Sequence, residues 1–272
     1  MGMPINQILS PPTTAICDVA PVLEKCQRYY PFIFEEPDEF SKDVTQAPVA
    51  LLYDLDCWDA NLQHCKHAFG ETFLHTMAIK SNSLSKMIVR AHEQHGFGIE
   101  CASIGEVLHA LEHCKVPASH VVFDSPCKTK KEIMFGMENG ISMNFDNIQE
   151  GTEAVRLWNL VNDGIVKHPH QKLGFRINPL VGAGTIAELS VSTASSKFGT
   201  PLTDTNGNKQ ALLDMYKANP FLNCVHVHVG SGGMGMKILT DGIRICVQFA
   251  KEINEFCGRK QIAVLDVGGG LP

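Results

Sequence analysis

A chain of 272 residues that is 44% hydrophobic and 19% charged has the length and balance of a globular protein with a sizeable core, which excludes a disordered or fibrous polymer. The formal charge of -6, from 23 Lys and Arg against 29 Asp and Glu, offers no basic field for a phosphate backbone and argues against nucleic acid as a partner. No apolar run reaches the roughly 18 residues of a spanning helix, which argues against a membrane. The 10 scattered cysteines, with no CxxC pair, fit the reduced thiols of a cytoplasmic protein better than zinc or disulfides. An amino terminus with Asp18 and Glu24 that is not Arg-rich argues against a transit peptide.

The first residues are broken by Pro11-Pro12, Pro21, Pro31 and Pro37 and by the acidic run Glu35 to Glu39. They predict an N-terminal extension, 1–47, ahead of a core domain, 48–272. From there short runs of apolar and β-branched residues predict strands at 50–55, 75–80, 97–102, 121–123, 141–145, 173–177, 225–229 and 262–267. Amphipathic stretches lie between them. Ile104, Val107, Leu108 and Leu111 keep helical spacing, as do Ile243, Val247, Ala250 and Phe256 more loosely. Strand and helix in alternation mean an α/β fold with parallel pairing, and a closed barrel and an open doubly wound sheet both meet that description.

Lys80 ends an apolar run, where an α/β barrel places reactive groups at strand carboxyl ends. A lysine amine desolvated there could attack a carbonyl carbon and form a Schiff base, although a lysine in such a place is more often a snorkelling surface residue. Gly268, Gly269 and Gly270 follow the last strand and could form a backbone nest for phosphate, with Ser231 adding a hydroxyl; both are equally readable as turns. His226 and His228, two apart, face one side. They could bind a metal, or His226 could be a hydrogen-bonded core histidine while His228 lies flat on a planar cofactor. Arg176, if inward, must be paired, with Glu100 and Glu106 as nearby candidates for that or for orienting Lys80. Glu106 could equally be a solvated helix residue.

The order and wording of Ala78-Ile79-Lys80-Ser81-Asn82, Glu100-Cys101-Ala102-Ser103, Arg176-Ile177-Asn178-Pro179 with Ser196-Lys197-Phe198-Gly199, His228-Val229-Gly230-Ser231 and Asp266-Val267-Gly268-Gly269-Gly270 resemble the pyridoxal-phosphate decarboxylases of the ornithine, diaminopimelate and arginine group. The resemblance runs from about Pro48 to Pro272. It implies a pyridoxal-phosphate-binding (β/α)8 TIM-like barrel and pyridoxal 5'-phosphate as cofactor, with no metal. It also implies that Lys80 forms the Schiff base, His228 stacks on the cofactor ring, Ser231 and Gly270 with the neighbouring Gly268 and Gly269 contact its phosphate, and Arg176 and Lys197 line the site. Glu100 stands where the family usually has aspartate.

The implied chemistry is decarboxylation of a small basic or diamino amino acid. The stretch from Arg176 through Gly182 to Gly199 looks like the diaminopimelate branch, whose reaction makes lysine. Ser125-Pro126-Cys127-Lys128 and Glu100 to Ser103 look closer to the ornithine branch of polyamine synthesis, and the Thr-Gly-His triplet of diaminopimelate enzymes is absent near Val191-Ser192-Thr193. About seven strands are expected. The family's eighth strand, with the glutamate for the pyridine nitrogen, and its C-terminal β-domain, which reaches the partner subunit's site in a homodimer, find no counterpart before Pro272. The chain thus reads as a fragment or a short product, with a non-catalytic binding module as an alternative role.

Overall fold

A computed structural model describes residues 24, 28, 53–70, 72–162, 166–182, 192–193, 196–202, 207–231 and 235–270. They belong to two compact units, Met1–Gly70 and Glu71–Pro272. The expected extension lies outside the described residues apart from Glu24 and Arg28, as do 50–52 of the first expected strand. The rest of that strand is corrected. Leu55 opens helix α1 (Leu55–Phe69), because the Asp54 carboxylate accepts from the backbone N–H groups of Asp56 and Cys57 at 3.1 Å and so caps the first turn.

In the second unit the strands are β1 (Thr76–Ala78), β2 (Gly98–Cys101), β3 (Val121–Phe123), β4 (Ser142–Phe145), β5 (Leu173–Asn178), β6 (Thr200–Pro201), β7 (Leu222–Val227) and β8 (Val264–Asp266). The helices are α2 (Ser85–His95), α3 (Ile104–Leu108), α4 (Lys130–Asn139), α5 (Ile148–Asn162), α6 (Asn208–Ala218) and α7 (Met236–Cys257). The expected strand at 75–80 is shorter than its apolar run, since Ile79–Ser81 turns as a 3-10 helix and carries Lys80 beyond the strand end.

All pairings are parallel, in the order β1-β2-β3-β4-β5-β7-β8, with the short β6 beside β5. An open doubly wound sheet reverses its order at a switch point. This one never reverses, which is how a barrel winds. The sheet also curls on itself: Asn144 on β4 donates to Asp266 on β8 at 3.1 Å, although β5 and β7 lie between them in the sheet. The described strands therefore make an incomplete barrel whose polar interior gathers side chains from both ends of the strand order.

Sequence sets the local geometry at several junctions. Thr129 and Glu132 form a reciprocal capping box that starts α4. Every residue of β5 is buried, as a parallel strand covered on both faces should be. Between β5 and β7 the register shifts at Leu173 and Gly174. Tyr216 of α6, fully buried, fills that irregularity: its hydroxyl accepts from the Phe175 N–H at 3.1 Å and donates to the Cys224 carbonyl at 2.6 Å.

Candidate active site

Lys80 and Glu100 meet because of strand register. Ala78 lies opposite Glu100 across β1 and β2, and the 3-10 turn Ile79–Ser81 that follows β1 places Lys80 over Glu100. The Lys80 ammonium lies 3.1 Å from both carboxylate oxygens of Glu100. The amine is not desolvated as its apolar run suggested: the Lys80 side chain is 51% exposed while Glu100 is 14% exposed. A partly open lysine held on a covered carboxylate can be reached by a ligand and keeps a defined direction.

A second row crosses the sheet where Arg176 on β5, His226 on β7 and Asp266 on β8 lie at matching register positions. His226 Nδ1 is 3.0 Å from Asp266 Oδ1, and its Nε2 is 3.9 Å from Asp124 Oδ2. Asn144 completes the group by donating to Asp124 at 2.9 Å and to Asp266 at 3.1 Å. Burial works against a charged His226, but Asp266 and Asp124 outweigh it and raise the imidazole above its ordinary range. Asp124 is pushed up to about 6 by burial, with Asp266 and Glu100 adding to the effect. Burial would raise Asp266 as well, yet His226 holds it well below the usual carboxylate range.

His228 has a different environment. Burial, together with the cations Arg176, His226 and Lys80, lowers its pKa to about 3, so the ring is neutral. Its Nδ1 accepts from the Gly269 N–H at 3.1 Å, which assigns the proton of the neutral ring to Nε2. The two histidines, which could have formed one metal-binding pair, are thus divided. His226 groups with Asp124 and Asp266, while His228 faces the glycine turn.

That turn packs backbone to backbone against the end of β7. Gly268 and Gly270 have φ of 68° and 86°, and a Cβ on Gly270 would stand 2.0 Å from the Gly230 carbonyl oxygen. Gly270 also lies beside Ser231, as the sequence suggested. The expected triple nest needs correction, however. The Gly268 N–H is taken by Asp266 at 2.9 Å and the Gly269 N–H by His228. The Gly270 N–H and the Ser231 hydroxyl make no side-chain hydrogen bond among the described residues. A Cβ on Gly269 would meet nothing within 4 Å, so the outer side of the turn is open.

Arg176 is buried, but its partner is neither Glu100 nor Glu106. It pairs with Asp146 at 3.9 Å and packs on the Phe198 ring at 4.7 Å. Glu106 accepts from the Ala102 N–H at 2.7 Å and acts in the start of α3. Lys197 is exposed and reaches the same Phe198 ring at 5.1 Å, which joins it to Arg176 through that ring. Much of the segment before Ser196, namely 183–191 and 194–195, lies outside the described residues. Asp124, Asn144 and Asp146 were not singled out from sequence. The available signal was position: each polar residue sits at or just past the end of a short apolar strand, where an α/β barrel gathers its reactive groups.

A cofactor carrying an aldehyde, a flat ring and a phosphate fits these residues: an accessible amine on Lys80, a neutral flat imidazole on His228, and a turn beside Ser231 that has no room for a side chain at Gly270 and open space outside Gly269. Residues 57–272 match the family described as pyridoxal-dependent decarboxylase, pyridoxal binding domain. A diaminopimelate decarboxylase of Bacteroides thetaiotaomicron is 31% identical over 198 residues, 71% of this chain and 47% of that protein. The crystal structure of diaminopimelate decarboxylase from Helicobacter pylori complexed with L-lysine aligns with a TM-score of 0.67 at 26% identity, over 80% of this chain and 53% of that one. An arginine decarboxylase of Paramecium bursaria Chlorella virus, bound to agmatine, shares the fold at 21% identity with a TM-score of 0.61, over 78% of this chain and 51% of that one. The chain spans about half the length of these relatives.

Proposed function

Because the chain belongs to the pyridoxal-dependent decarboxylases, matching their pyridoxal-binding domain over residues 57–272, with pyridoxal phosphate as the cofactor of that domain, we propose that it is the cofactor-binding part of an amino-acid decarboxylase acting on meso-diaminopimelate. The observation that carries this reading is the convergence of Lys80 with Glu100, and of His228 with the turn at Gly268 to Gly270 and Ser231. The barrel strands, Thr76 to Asp266, all lie within the unit Glu71–Pro272. The parent works as a cytoplasmic homodimer. Cys57, Cys101, Cys114, Cys127, Cys224, Cys246 and Cys257 are free thiols, which supports a reducing compartment.

When bound, the cofactor supplies an electron sink for the pair left on the α-carbon as carbon dioxide departs. The chain supplies the rest. Lys80 provides the amine for the covalent link, and Glu100 holds that amine in place and carries the counter-charge at 3.1 Å. His228, fixed by the Gly269 N–H and kept neutral, offers a face to the ring without adding charge. The Gly270 N–H and the Ser231 hydroxyl hold the phosphate, and Arg176 with Lys197 borders the site around Phe198.

Within Ser125-Pro126-Cys127-Lys128, which resembles the ornithine branch, the lysine serves the fold. Lys128 is fully buried, donates to the carbonyls of Ser125 and Asn144 at 2.7 Å and pairs with Glu150 at 3.0 Å. That motif holds the fold together. Borohydride reduction of the full chain saturated with pyridoxal phosphate, followed by peptide mapping, should place the label on Lys80. Label elsewhere, or none, would remove the reading.

A further inference from the structure

We propose that Asp266 is a positioning residue for the glycine turn: its carboxylate, clamped by His226 and Asn144, holds the backbone at Gly268 to Gly270 in the shape that receives the cofactor's phosphate. The inference rests on the reading of that turn as the phosphate seat. Asp266 ends β8, two residues before the turn, opposite His226 on β7. Its Oδ1 accepts from the Gly268 N–H at 2.9 Å and lies 3.0 Å from His226 Nδ1, while its Oδ2 accepts from Asn144 at 3.1 Å. Both oxygens are therefore committed, one to the turn and both to the barrel wall.

The turn needs such a clamp. Three consecutive glycines sample a wide range of backbone shapes, and freezing them on a ligand costs conformational entropy that a preorganised site has already met. Asp266 holds Gly268 from the strand side, and His228 Nδ1 holds Gly269 from the end of β7. With those two N–H groups engaged, the turn presents the Gly270 N–H beside Ser231. An aspartate beside an anion site would repel the anion if its charge stood alone. Here His226 lies against it, 3.0 Å from Oδ1, and Asp266 with Asp124 on the far side of the imidazole favours the protonated ring that would offset the charge. The order of attachment is wall, aspartate, turn, phosphate.

A residue that acts through the turn should affect phosphate recognition and leave the rest of cofactor binding alone, whereas a merely structural residue should weaken both together. The test compares affinities for pyridoxal 5'-phosphate and for pyridoxal, which lacks the phosphate, by spectroscopic titration of the full chain. In Asp266→Ala the preference for the phosphorylated form should fall about tenfold or more while pyridoxal affinity stays within about twofold. An unchanged preference, including a parallel loss for both ligands, overturns the proposal. If thermal unfolding shows that Asp266→Ala does not fold, Asp266→Asn decides on the same terms: it keeps an oxygen for the Gly268 N–H but lacks the charge that binds it to His226, and a loss of about threefold in preference is expected. A wild-type chain that shows no preference for the phosphate form would sink the underlying reading of the turn, and that arm is read before any variant is made.

Discussion

At Gly270 a single hydrogen occupies a position that no other side chain can take. A Cβ there would lie 2.0 Å from the Gly230 oxygen on a backbone with φ of 86°, so Gly270→Val must push the ends of β7 and β8 apart. We expect pyridoxal-phosphate affinity to fall by more than about tenfold in the folded variant, about 1.4 kcal/mol. Gly269→Ala, whose Cβ would meet nothing within 4 Å, is the control and should bind nearly as wild type. Unchanged titration of Gly270→Val would move the phosphate elsewhere. Individual residues were legible in the sequence where chemistry and position coincide, as with Lys80 at a strand end and the glycine run after β8. Their partners were less so. The pairing of Arg176 with Asp146, and the burial of Lys128 against Glu150, depend on which side chains a curled sheet brings together, and linear spacing does not encode that curl.

Among the elements, the contact between β5 and β7 depends on a side chain from neither. Tyr216 on α6 satisfies the Phe175 N–H and the Cys224 carbonyl where the two strands slip register. Tyr216→Phe keeps the ring and removes both hydrogen bonds inside a fully buried region. A destabilisation of about 2 to 4 kcal/mol is expected from two unsatisfied backbone groups. Urea unfolding would measure it, and a midpoint equal to wild type would show that the strands relax to pair with each other. The strands and helices of the barrel were readable as alternating periodicities, while their limits were not. The run ending at Lys80 contains three strand residues and then a turn, and the run ending at Leu55 gives way to a helix once Asp54 can cap it. A side-chain cap decides the first boundary of the helix at Leu55, and the Asn82 N–H bond to the Ile79 carbonyl decides the turn at Lys80; apolar content alone shows neither.

Asp124, His226 and Asp266 form one buried titratable group, which gives the stability of the fold a pH signature. Asp124, raised to about 6, keeps its proton in the fold at a pH where the unfolded chain has lost it. Its contribution is complete below the ordinary carboxylate range and is lost as pH rises through about 6. His226, raised above 6.5, adds a contribution that is lost as pH rises through its elevated value. Asp266, lowered, works the other way and loses its contribution only as pH falls well below 4. His228, held neutral with its pKa lowered to about 3, opposes Asp124 by adding stability as pH rises from about 3 to 6.5. Between about pH 4 and 6 the Tm of Asp124→Asn should therefore rise more steeply, or fall less, with pH than that of wild type. Calorimetry at several pH values tests this; equal slopes for the two proteins would mean that Asp124 does not carry the linkage.

The strand order has a further consequence, for the way the chain is made. Thr76 finds Gly98, Ile99 finds Val121 and Val122 finds Ser142, so each early strand pairs with the one synthesised just before it. A ribosome delivering about 5–20 residues per second presents these partners in the order in which they are needed, so that, apart from the outer edge of β1, which pairs with no described strand, each early edge is met by the next strand to emerge. The long interval comes after β5, whose main neighbour β7 arrives only after the whole stretch from Pro179 to Phe221. During that interval the edge of β5 stands open, and among the described residues the short β6, arriving midway, is the strand that pairs with it before β7.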